Sequence, residues 1–168
     1  MTIANAALSF IYPIMEHRFT LADDAATRAL GAALAGLLKA GDVIALHGEL
    51  GAGKTTLTRG LIQAICGAGE EVPSPTYTLV QSYDGPDFPI WHFDLYRLDR
   101  PDEVRELGWD ETQEGVALIE WPERAGRHLP AVRLDLTLEM LGEQRRARLE
   151  PVGEDWQKRL DGFRFSSP

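Results

Sequence analysis

Apolar positions recur with two different periods along this chain of 168 residues. Ala26, Leu30, Leu34, Leu37 and Leu38 fall on one helical stripe, which predicts a helix running toward Gly41. Thr20-Leu21-Ala22-Asp23, just before it, resembles a capping box that would satisfy the first free N–H groups. Leu57, Leu61, Ile62 and Ile65 mark a second helix, with Gly67 as its stop. Between the two, Asp42-Val43-Ile44-Ala45-Leu46-His47 is a short apolar run that reads as a buried strand. Gly67 to Pro75, rich in Gly, Pro and Glu, reads as a loop. Tyr77 to Tyr83 reads as a strand, Asp84-Gly85-Pro86-Asp87 as a turn and Ile90-Trp91-His92-Phe93 as the returning arm of an antiparallel hairpin. Pro101 to Leu107 predicts a short helix with an acidic first turn, and Val116 to Ile119 a buried strand ending at Glu120. Val132, Leu134, Leu136 and Leu138 alternate with polar residues, so that strand has one wet face; Leu141-Gly142-Glu143 turns it into another, Arg145 to Glu150. Residues 1–18 read as an extension or an initial strand, and 151–168 as a tail without a motif. No repeat or linker divides the chain, so a single domain over 1–168 is expected.

The junction between the first buried strand and the second helix carries the strongest chemical signal. Gly48-Glu49-Leu50-Gly51-Ala52-Gly53-Lys54-Thr55 matches the phosphate-binding pattern G-x-x-x-x-G-K-[ST] without a gap. Its glycines let backbone N–H groups converge on one anion, Lys54 places a charge on the outer phosphates, and the Thr55 hydroxyl can ligate Mg²⁺. Strand, loop and helix follow in the order that places phosphate at a helix N-terminus. The expected contacts are Glu49, Leu50, Gly51, Ala52, Gly53, Lys54, Thr55 and Thr56.

Such a loop needs a carboxylate near the metal, usually at a strand end. Glu120 follows Val-Ala-Leu-Ile and Asp94 follows Ile-Trp-His-Phe, so both are candidates; the sequence does not say which of them positions the attacking water. Pro73-Ser74-Pro75-Thr76-Tyr77 holds two hydroxyls between two prolines, either as a segment ordered by γ-phosphate or as a plain turn. Trp121 reads as packing or as an indole beside the nucleotide crevice. The guanine-reading N-K-x-D motif is excluded, because Asn5 is the only asparagine, so ATP is the expected nucleotide.

Composition narrows the partners. A net charge of −9 argues against a broad grip on nucleic acid. Arg124, Arg127 and His128, and Arg145, Arg146 and Arg148, read as solvated surface, with contact to RNA or a partner as the alternative. A single cysteine, Cys66, rules out an internal disulfide and suits a reducing cytoplasm, and no run nears the ~20 apolar residues of a membrane span. The first residues have neither the basic start nor the long apolar core of a secretory signal. The four histidines show no metal-ligand spacing, and Ser74 has no general base.

Four motifs occur together in one order: Gly48 to Thr56, Ser74-Pro75-Thr76-Tyr77-Thr78-Leu79-Val80, His92-Phe93-Asp94-Leu95-Tyr96-Arg97 and Ile119-Glu120-Trp121-Pro122-Glu123. The set closely resembles the TsaE (YjeE) family of small bacterial ATPases, over roughly Phe19 to Leu149. The resemblance implies a three-layer α/β P-loop NTPase fold with a mixed parallel and antiparallel sheet. It also implies a Mg²⁺-dependent ATPase needed to form N6-threonylcarbamoyladenosine at position 37 of tRNAs that read codons starting with A. In that family the ATPase works with the TsaB–TsaD transferase pair and meets tRNA indirectly through that complex; a separate enzyme, TsaC, makes the threonylcarbamoyl-adenylate. Turnover by the chain alone is expected to be slow, because a lone subunit often lacks a completing group that its partner supplies. By motif, Lys54 would contact phosphate, Thr55 and Glu120 would form the Mg²⁺ site, and Asp94 would be a second acid. Ser74 and Thr76 would form a switch-like loop, and adenine would lie near the first helix, pointing to Asp24. Two other classes use the same loop: a small-molecule kinase, which needs an acceptor pocket and an arginine-bearing lid, and a nucleotide sensor that never hydrolyses.

Overall fold

The computed structural model describes residues 16–168. Seven strands form one sheet in the order β1-β7-β6-β2-β5-β4-β3. The strands are β1 (His17–Leu21), β2 (Val43–His47), β3 (Val80–Asp84), β4 (Pro89–Asp94), β5 (Val116–Glu120), β6 (Arg133–Leu141) and β7 (Gln144–Val152). The inner strands β6, β2, β5 and β4 run parallel, while β3, β7 and β1 are antiparallel to their neighbours. The sheet is therefore mixed, as the two predicted hairpins require.

Side chains alternate between two cores. Ile44, Leu46, Leu118, Leu134 and Leu136 face one side, where helices α1 (Asp24–Ala35), α2 (Lys54–Cys66) and α3 (Glu154–Asp161) pack. Val43, Phe93, Ala117 and Ile119 face the other, covered by three short 3₁₀ helices at Pro101–Leu107, Trp109–Glu114 and Pro122–His128. Helix, sheet and 3₁₀ layers make a three-layer α/β arrangement. The first two helices cross very closely. A Cβ on Gly31 would lie 2.1 Å from the Leu57 carbonyl oxygen, and one on Gly60 2.1 Å from that of Arg28. Only glycine at both positions lets the backbones meet.

Several boundaries differ from the sequence reading. Thr20 belongs to β1, and the cap of α1 is Asp23, whose carboxylate accepts the Ala26 N–H at 2.8 Å. That helix ends at Ala35 with Gly36 as its C-cap rather than reaching Gly41; Leu37 and Leu38 still pack on the core. The strand expected from Tyr77 starts at Val80, because the chain first closes a turn in which the Leu79 N–H donates to the Pro75 carbonyl (2.8 Å). Pro101–Leu107 is 3₁₀ rather than α. At the N-terminus His17 and Arg18 are part of β1; the rest of the predicted extension, residues 1–15, lies outside the described residues. Residues 151–168, read as a tail, are folded: β7 runs to Val152, and α3 buries Trp156 and Leu160 completely.

Candidate functional site

Parallel strands β2, β5 and β4 end side by side, and the candidate residues gather there. Asp94 and Glu120 are register partners on β4 and β5. His92 lies two residues before Asp94, on the same face of β4. All three are buried among otherwise apolar strands, where a charged or polar group needs partners.

They have them. The Thr55 hydroxyl donates to Glu120 Oε1 at 3.0 Å, and the His92 ring Nε2 lies 2.9 Å from the same oxygen. Asp94 Oδ1 accepts the Tyr96 N–H (3.0 Å), and Oδ2 is 3.4 Å from the Thr76 hydroxyl, which in turn is 2.7 Å from that of Ser74. The proline-flanked segment is thus tied to the strand-end acid. Lys54 Nζ donates to the Gly48 carbonyl at 2.5 Å and lies 3.9 Å from the centroid of the Trp121 ring. Burial pulls the Lys54 pKa down from its ordinary range, partly countered by the charges of Glu120 and Asp94.

The loop has the backbone that anion binding requires. Gly53, the N-cap of α2, has φ +106 and no side-chain cap, and the first residues of α2, Lys54 to Thr56, line a crevice. Two bulky residues near the site also hold left-handed backbone, Leu79 (φ 68) and Trp121 (φ 56). Such strain costs about 1–3 kcal/mol per residue and concentrates where geometry serves function.

A crevice of about 210 Å³ is lined by Asp24, Leu50, Gly51, Gly53, Lys54, Thr55, Thr56, Ser74, Thr76, Asp94 and Glu120, together with Trp121 and Arg145. It brings together the predicted site residues except two. Ala52 is buried in the core, and Glu49 faces a neighbouring cleft of about 820 Å³ whose acids also include Glu123 and Glu139. Lys54 and Trp121 line both spaces and form the wall between them.

Arg145 and Trp121 extend the candidate set. Arg145 reads from sequence as surface, yet Nη1 pairs with Asp24 Oδ1 at 2.6 Å, and its side chain is only 15% exposed and packs on Gly53. The signal was the period of two: Arg145 shares a strand face with buried Ala147 and Leu149. The Trp121 indole sits in the crevice, not only in the core. Asp24, expected near adenine, has its carboxylate engaged by Arg145. Arg127 and His128 instead pair with Asp102 (2.9 and 2.6 Å), away from the crevice.

The donors suit Mg²⁺. A hydroxyl and two carboxylates are hard oxygen ligands, and Thr55 donates its proton to Glu120, leaving lone pairs for a cation. Among the described residues no three His, Cys, Asp or Glu converge as a metal site by themselves. Mg²⁺ in nucleotide sites is completed by phosphate oxygens, so a partial protein set is what that chemistry uses.

A strand, a glycine-rich loop with a lysine, a helix N-terminus and strand-end acids, set in this sheet, define a P-loop NTPase fold. Among solved structures, YdiB of Bacillus subtilis superposes with a TM-score of 0.75 at 30% identity, covering 90% of this chain and 95% of that one. The model of the family "Threonylcarbamoyl adenosine biosynthesis protein TsaE" matches residues 21–148, and the chain belongs to the TsaE family. Proteins named tRNA threonylcarbamoyladenosine biosynthesis protein TsaE are similar over most of their length. That of Rickettsia felis is 42% identical over 121 residues, covering 71% of each chain. That of Bacillus subtilis is 38% identical over 122 residues, covering 71% of this chain and 75% of the other.

Proposed function

We propose that this chain is a Mg²⁺-dependent ATPase that acts in forming N6-threonylcarbamoyladenosine on tRNA, as a single domain working with the TsaB–TsaD transferase pair in the cytoplasm. Family membership supports the pathway. The observation that carries the ATPase reading is the convergence of Lys54, Thr55, Asp94 and Glu120 on one crevice at the start of α2. No helix among the described residues is long and apolar enough to cross a membrane.

ATP would lay its phosphates along the loop, with backbone N–H groups of Gly51 and of Gly53 to Thr56 donating to them. Lys54 would leave the Gly48 carbonyl and the Trp121 face for the outer phosphates, where charge builds as the terminal phosphoryl group departs. Thr55 and Glu120 would hold Mg²⁺, which would supply neutralisation of the phosphates' negative charge when bound. Asp94, linked through Thr76 to Ser74, would orient the attacking water and report whether γ-phosphate is present. Arg145 would add a positive charge on the side of the loop facing α1. The Tyr96 N–H just past the strand end, which Asp94 Oδ1 accepts at 3.0 Å, keeps it a fixed acceptor rather than a solvated acid.

The test is phosphate release from ATP by the purified chain, alone and with TsaB–TsaD, beside Lys54→Ala. Slow hydrolysis that the pair accelerates and Lys54→Ala abolishes is the expected result. Phosphate transferred to a metabolite would instead indicate a kinase, and binding without hydrolysis in the full assembly a sensor.

A further inference from the structure

We infer that His92 is a positioning residue for the strand-end carboxylate, donating a hydrogen bond from Nε2 to Glu120 Oε1. The inference rests on the reading of Glu120 as a metal-site acid. Glu120 Oε1 is engaged twice, by the Thr55 hydroxyl at 3.0 Å and by His92 Nε2 at 2.9 Å. Oε2 takes no hydrogen bond from a described residue and is not among the buried unpartnered atoms, so it is the oxygen open to the crevice. Two donors on one oxygen fix the rotation of the carboxylate and present the other oxygen in a single direction.

The proton position follows from burial. His92 is fully buried, and its Nδ1 has no hydrogen-bond partner among the described residues. A proton on Nδ1 would leave an orphaned N–H in the core and would turn the Nε2 lone pair toward the carboxylate. A proton on Nε2 makes the bond to Glu120 and leaves only an unfilled acceptor, the cheaper defect. A histidine inside a buried parallel strand, opposite Leu118 in register, costs stability that leucine at the same place would not. The bond to Glu120 gives that polar side chain its one function in the strand. Groups that orient a metal-binding carboxylate typically alter metal affinity by about 10–100-fold when removed.

Gln and Asn separate positioning from mere packing. The amide nitrogen of Gln reaches the place of Nε2, whereas that of Asn falls near Nδ1. His92→Leu and His92→Asn should weaken Mg²⁺ binding to the ADP-loaded protein by about 10-fold in calorimetry, with metal-free ADP affinity unchanged, while His92→Gln keeps most of it. In hydrolysis the loss should appear in kcat and in the Mg²⁺ requirement rather than in the KM for ATP. Nitrogen NMR of the wild-type ring should show a proton on Nε2, a readout that needs neither a folded variant nor activity. Wild-type Mg²⁺ affinity in His92→Leu, equal behaviour of Gln and Asn, or a proton on Nδ1 would each overturn the assignment. Absence of hydrolysis by the wild type with TsaB–TsaD would sink the ATPase reading alone, because the calorimetric and NMR arms still decide the role of His92.

Discussion

Arg159 of α3 grips Asp42, the residue that leads into β2, with two parallel hydrogen bonds of 2.6 and 2.8 Å. Asp42 is 5% exposed and also accepts the Lys39 N–H, while Arg159 donates to the Leu37 carbonyl and lies over the Trp156 ring. The C-terminal helix therefore braces the base of the strand whose other end carries the phosphate loop.

Removing only the cation leaves a buried carboxylate without its counter-charge, which costs about 3–5 kcal/mol. Arg159→Met should lower stability by that order, and Trp156→Ala by about 3–5 kcal/mol through the cavity it opens. Urea midpoints measure both. A chain truncated after Val152 that melts like wild type would show that α3 is an ornament.

The unequal legibility of the chain has physical causes. The loop, its flanking strand and helix, and the acids at Asp94 and Glu120 were readable because strand ends and phosphate loops need fixed residue types at fixed spacing. Helix α3 was not. Its polar composition hides a stripe of only Trp156 and Leu160, and its anchor is an ion pair 117 residues away in sequence. The turn before β3 was hidden too, because Tyr77 to Leu79 have strand-forming side chains but a backbone overruled by the Pro75–Leu79 hydrogen bond. His92 and Trp121 stood in view, but which atom each touches depends on strand register and on a left-handed residue, neither of which a pattern of types reveals.

Lys54 is held in the crevice at a cost in stability. Burial lowers its pKa, so folding disfavours its charge. Below the folded pKa both states are protonated and the cost is full; it fades as pH rises through the ordinary lysine range, where the unfolded chain also loses the proton. Lys54→Met should therefore be at least as stable as wild type at pH 7, with any gain shrinking toward pH 11, while hydrolysis falls by about 100-fold or more. Thermal melts across pH and a phosphate-release assay decide it; a large loss of stability at pH 7 would mean the Gly48 and Trp121 contacts outweigh the burial cost.

Arg145 should affect binding and not turnover. Its Nε is buried without a partner among the described residues, and its guanidinium lies over Gly53 of the phosphate-binding pattern. Arg145→Ala is expected to weaken ATP and ADP equally, by about 10-fold or 1.4 kcal/mol, with kcat at saturation close to wild type. Asp24→Asn, which frees the arginine from its 2.6 Å ion pair and removes a negative charge beside the loop, should bind both nucleotides at least as tightly as wild type. Titration calorimetry with both nucleotides is the measurement, and unchanged affinities in Arg145→Ala would return the residue to a structural role.

Thr76 tests whether the crevice speaks to a partner. Its hydroxyl bridges Ser74 to Asp94, and the chain then turns through exposed Tyr77, whose ring lies 4.3 Å from the Arg97 guanidinium, before β3 begins. A γ-phosphate competing for these hydroxyls would draw the segment inward and change the surface that Tyr77 presents. Communication requires that the partner bind the two nucleotide states unequally. The affinity for TsaB–TsaD is therefore expected to differ by about 5-fold or more between the ATP-analogue and ADP forms. Thr76→Ala should shrink that ratio, because the bridge to Asp94 is gone, while leaving nucleotide affinity nearly intact, because the loop and Lys54 are untouched. Titrating the pair with each loaded form of both proteins gives four constants and one decisive ratio. Equal affinities for the two wild-type forms would reduce Pro73 to Tyr77 to a turn.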